Sequence, residues 1–307
     1  MTRISSAMIN ANALQHLQKA QEEMFEAQRQ SASQNKADDV KGYGRDTKSL
    51  INIERLQAKG QSHLDAATEL NLRLSLQDAQ LGRAADVIAD LKTQLTEALA
   101  LDDLSQVSAL MSGTFNDLKA AFNTTHNGKY MFAGSVSDSP PITAANLDEL
   151  AANPLTDAIN QDGDVLKIRI GDTRVVDAGP LANQAASEIF NVLRDMKIFE
   201  DGATGPFSSN PTDDEVAAVK AALTGLDSAY GNMLAVQAQN GQVMNETDAV
   251  IERQQSEIDL LESLSGDITE VDLAEVAVRL NQAQLQFQAS ASIFNTIQGL
   301  SLVDYLR

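Results

Sequence analysis

The stretch LAEVAVRLNQAQLQFQASASIFNTIQGLSLVDYLR, Leu273 to Arg307, closes the sequence and decides how the rest is read. Leu273, Val276, Leu280, Ala283, Phe287, Phe294 and Ile297 recur at alternating steps of three and four, with Ser290 the one polar member of the series. That is the periodicity of a coiled-coil seam. A tail that ends in solvent has no use for such a seam. One apolar stripe also returns less free energy than the ordering of so long a segment costs. The spacing therefore predicts a tail that orders against an N-terminal helix and neighbouring subunits.

The other end of the chain carries a matching pattern. Ala13, Leu17, Ala20, Met24 and Ala27 again step by four and three, in a helix predicted to start near Ser5 or Ser6. Two matching seams separated by the whole chain pair most simply with each other. The fold class read from this is mainly α, with elongated antiparallel coiled-coil helices formed by both chain ends and a small β-containing insertion domain at the far end. Ala13, Leu17, Met24, Leu273, Val276, Leu280, Phe287, Phe294, Ile297, Leu300 and Leu302 form the candidate assembly interface.

Between the ends, the pattern lapses over SASQNKADDVKGYGRDT, where Gly42 and Gly44 break helix. Leu70, Leu74, Gln77, Leu81, Ala84, Ile88, Leu91 and Leu95 then keep heptad steps, with Gln77 the only polar residue among them. LDDLS interrupts this helix, and Val107, Met111, Phe115, Leu118 and Phe122 carry the next one to Asn127. Asn127-Gly128 opens NGKYMFAG as a turn into a short strand. In DVLKIRIGDTRVVD, Leu166, Ile168 and Ile170 alternate with Lys167 and Arg169, and Gly171-Asp172 turns towards Val175-Val176. A short helix follows around Glu188–Phe199. Thr212 and Glu215 have capping-box spacing before a helix expected to end at Leu264, with SGDITEVD as its break. The expected domains are 1–42 with 267–307 as terminal assembly helices, 43–127 with 211–266 as a helical rod, and 128–210 as the insertion.

Composition narrows the function. Aromatic residues make up 4% of the chain and Trp is absent, which suits slender helix-on-helix packing. The net charge of −20, without a basic cluster, argues against nucleic acid and against an anionic membrane surface. With no cysteine there is no thiolate nucleophile, disulfide or Cys-based metal site. His16, His63 and His126 have no ligand spacing; the first two read as solvated and the third as a helix C-terminal residue. NQDGD, Asn160–Asp164, hints at a calcium loop, but counting from Asp157 puts Ile168 where the loop needs Glu, so it reads as a turn. No phosphate-cradle or nucleophile-elbow motif is present, and neither an enzyme nor a cofactor is expected. The N-terminus has no continuous apolar segment of the secretory kind, which by itself reads as cytoplasmic or as export without a Sec signal.

RISSAMINANALQHLQKAQ at the start, GKYMFAG after a long helix and the closing DLAEVAVRLNQAQLQFQASASIFNTIQGLSLVDYL resemble the flagellin superfamily. GKYMFAG and LSLVDYL narrow the resemblance to its hook-associated protein 3, or hook–filament junction, branch. One departure stands out. Where the family has a Gly-Lys/Arg turn and Asp-Asp-Pro, this chain has Asp38-Asp39 followed by Val40. The resemblance implies an extracellular structural subunit of the bacterial flagellum, exported by the flagellar type III apparatus with a chaperone on the C-terminal helix. Its implied partners are hook-associated protein 1, flagellin, and copies of itself in a ring or helical layer. A flagellin proper and a non-flagellar secreted coiled-coil interaction protein are the alternatives.

Overall fold

The structure is a computed structural model that describes residues 2–159 and 163–305, with side-chain surroundings given for 8, 11–159 and 163–296. Eight helices and four short strands follow one another along it. They are α1 (Thr2–Ser33), α2 (Thr47–Ala100), α3 (Val107–Phe122), β1 (Thr125–His126), β2 (Lys129–Tyr130), α4 (Leu147–Ala152) and α5 (Leu155–Ala158). Then come β3 (Lys167–Arg169), β4 (Val175–Asp177), α6 (Ala182–Glu200), α7 (Asp213–Thr269) and α8 (Leu273–Tyr305). The protein is mainly α with small β hairpins, as its periodicities predict. The chain divides into two units. One joins residues 1–59 to 257–307, and the other spans 60–256.

In the 60–256 unit, α2 packs antiparallel on α7. Asn71 donates to Asp248 Oδ1 at 2.7 Å, Asn240 donates to the Leu74 carbonyl at 2.9 Å, and Lys92 pairs with Asp227. The whole heptad series from Leu70 to Leu95 is buried, Gln77 included. Phe115 and Phe190 meet edge to face at 5.7 Å, as do Phe122 and Phe132 at 5.2 Å, so most of the few aromatics are spent here. The Asn127-Gly128 turn, with φ of 51° and 76°, joins β1 to β2 as the sequence requires. Strands β3 and β4 pair antiparallel, with Ile168 opposite Val176. Ile170 and Val176 turn inward onto Ala67, Leu70, Leu74 and Val250.

Buried Arg73 and Gln77 fasten the segment after β2. Arg73 donates to the carbonyls of Met131 at 2.6 Å and Ala178 at 3.2 Å, and Gln77 donates to the same Met131 carbonyl at 2.9 Å. Burial pulls the Arg73 pKa down, with Glu69 opposing that shift.

Four expectations are corrected. His63 bonds Asp172 at 3.1 Å, and His126 lies in β1, bonding Glu69 at 3.0 Å, so neither is a solvated or helix-terminal histidine. Glu215 is buried and accepts from Ser208 N at 3.0 Å. Thr212 still caps its backbone at 3.3 Å, but the Glu215 carboxylate is used across the loop instead of in a capping box. Helix α7 runs through Gly266 to Thr269 because Lys36 closes its end. The Lys36 ammonium takes the Asp267 and Ile268 carbonyls at 2.8 and 2.9 Å, and its backbone N–H takes that of Thr269 at 2.8 Å.

Candidate assembly interface

In the other unit α1 and α8 lie side by side and antiparallel. Gln30 of α1 accepts from Arg279 of α8 at 3.1 Å, and towards the start of α1 the neighbours are later residues of α8. Ala20 and Ala27 are buried on α1, and Val276 and Ala283 on α8. Alanine at three of these four positions lets the two helices lie close together. Around them Ala13, Leu17 and Met24, with Leu280, Phe287 and Phe294, are half-buried. The candidate residues of both termini are thus brought together along one line. Leu273 stands 48% exposed, because the last turns of α1 face Val276 and Arg279 and the chain turns away after Ser33. Ile297, Leu300 and Leu302 lie on α8, and their side chains are outside the described residues.

The end of α1 is held by charge. Arg29 reaches Glu26 at 2.6 Å and Asp38 at 2.5 Å. Its hydrogen bond lowers the Glu26 pKa, and these two acids hold the guanidinium above its ordinary range. Asp39 accepts from Gly42 N at 2.9 Å and caps the short turn Val40–Asp46. The departure from the family pattern at Val40 is accommodated by this Asp39-capped turn.

What the seam spacing does not reveal is a second apolar face. Val278 and Leu285 are 56% and 67% exposed, and they lie on the side of α8 opposite the seam, about 180° round the helix. Their spacing of seven was visible in the sequence, masked by the stronger series beside it. From Leu273 to Tyr305, α8 carries only Glu275, Arg279 and Asp304 as charges. A helix apolar on two opposed faces is one meant to be covered on both. Along one flank of the α1–α8 pair run two open grooves of about 380 and 340 Å³, floored by Ala20, Ala27 and Ala283 and rimmed by Glu22, Glu23 and Gln286. Among the described residues no cluster of three His, Asp or Glu could hold a metal, and no helix is long and apolar enough to cross a membrane.

Comparison with known proteins agrees with this geometry. Residues 223–306 match the model of the bacterial flagellin C-terminal helical region, covering most of α7 and α8. No curated protein sequence matches the chain. Among solved structures, a candidate flagellar hook-associated protein from Vibrio parahaemolyticus superposes with a TM-score of 0.58 at 18% identity, over 76% of this chain and 99% of that one. FlgL from Bacillus cereus gives a TM-score of 0.47 at 13% identity, over 67% and 98%, too low to argue from. The resemblance to the flagellin superfamily is borne out, and the chain is flagellin-like in its C-terminal helices.

Proposed function

We propose that this protein is a non-enzymatic structural subunit of the bacterial flagellum, placed where the hook meets the flagellin filament. The observation that carries the reading is α8. It is a flagellin-type terminal helix whose one face packs on α1 while the opposite face, with Val278 and Leu285, is left open for a neighbour. Such a helix serves assembly in more than one direction. The choice of junction over bulk filament rests on GKYMFAG and LSLVDYL and is supported by the fold likeness to a candidate hook-associated protein. In this reading the subunit binds hook-associated protein 1 on one side, flagellin on the other and its own copies within a layer. It leaves the cell through the type III apparatus with a chaperone on α8.

Cells lacking the protein should keep hooks and release flagellin monomers into the medium. Filaments of normal length on such cells would reject the junction role.

A further inference from the structure

Unit 1–59 with 257–307 presents two outward strips of opposite charge. On the first turns of α2, Lys48, Ile51, Arg55 and Leu56 face away from buried Leu50, with Ile51 49% and Leu56 40% exposed. Between Val40 and Ala58 the cations Lys41, Arg45, Lys48 and Arg55 stand against only Asp46 and Glu54, in a chain of net charge −20. At the end of α7, Glu257, Leu260, Leu264 and Asp267 face away from buried Ile258 and Leu261, with Leu260 60% and Leu264 43% exposed. From residue 257 to 270 there are acids at 257, 259, 262, 267 and 270 and no Lys or Arg. The side chains of Lys48, Arg55, Glu257 and Asp267 make no hydrogen bond or ion pair among the described residues.

We infer that these strips are the two halves of one contact between copies, the α2 strip of one subunit docking on the α7 strip of the next. Each strip sets apolar residues among charges, and the signs are opposite. Like strips of two copies repel, whereas unlike strips attract and bury Ile51 and Leu56 against Leu260 and Leu264. Each strip points away from the core of its own unit, so the partner that fits is a second copy. A contact between different patches propagates head to tail and closes into a ring or winds into a helix, according to the rotation per subunit. The inference rests on the proposed self-assembly and names the surfaces that carry it.

The test uses two charge-reversed full-length proteins, Lys48→Glu with Arg55→Glu and Glu257→Lys with Asp267→Lys, all at exposed sites. Sedimentation velocity at low salt should show the wild type self-associating. Each variant alone should associate at least about tenfold more weakly, and an equimolar mixture should recover the wild-type behaviour. The chain has no cysteine, so Ile51→Cys in one copy and Leu260→Cys in another give a second readout. Under mild oxidant the 51–260 disulfide should exceed both homodimers. Wild-type self-association by either reversed protein alone, or equal amounts of the three disulfides, would overturn the contact while leaving assembly through α8 standing. A wild type that stays monomeric at all concentrations would overturn the contact together with self-assembly.

Discussion

Gly179 sits at φ +96°, where a Cβ would overlap the buried side-chain amide of Gln77. The same amide, with Arg73, holds the Met131 carbonyl, so one residue controls how the segment after β2 lies on α2. Gly179→Ala meets both backbone strain and overpacking and should cost roughly 2–4 kcal/mol. Gly231, inside α7, has open space around its Cβ position, and Gly231→Ala should instead stabilise by about 0.5–1 kcal/mol. Thermal melts of the two variants check this, and equal Tm values would contradict the role given to Gln77. Gln77 was legible as the one polar member of its heptad series, but its purpose was not. Its partner carbonyl lies 54 residues away. His63 and His126 were misread for the same reason, since Asp172 and Glu69 are 109 and 57 residues distant. A side chain shows its periodicity in the sequence and hides its long-range partner.

At the scale of the element, α8 gave up its inner face to sequence reading almost whole. Val276, Leu280, Ala283, Phe287 and Phe294 keep the steps that put them against α1. The end of α7 was misjudged because Gly266 looks like a stop, and Lys36, far away in the chain, satisfies the last carbonyls. The pairing of α1 with α8 yields the sharpest mutational test. Phe287→Asp with Phe294→Asp puts two charges on the seam, where desolvation costs several kcal/mol per site in the packed state. Both residues lie outside the buried clusters of the 60–256 unit. Assembly and motility should be lost while the main circular-dichroism melt stays within a few degrees of wild type. Normal motility in the double variant would show that the seam is not what assembly uses.

For the whole molecule, stability is unevenly distributed. Both extended hydrophobic clusters lie within residues 66–251. Elsewhere, among the described residues, the buried apolar ones are Ala20, Ala27, Leu50, Ile258, Leu261, Val276 and Ala283, with no aromatic among them. Local opening is governed by buried apolar contact, so the terminal segments should open first. Limited proteolysis of the free protein should trim it to a resistant fragment starting between Gly42 and Lys59 and ending between Ser256 and Gly266. Equal resistance of the terminal helices in a monodisperse monomer would contradict that ranking. Terminal segments that are the least buried part among the described residues, with a last helix apolar on two faces, fit the proposed packing against other subunits. The measurement that tests this most directly is immunogold electron microscopy of flagella from cells carrying an epitope-tagged copy at the native level. The account predicts label confined to a single band at the boundary of hook and filament. Label along the whole filament, or none on the flagellum, would contradict it.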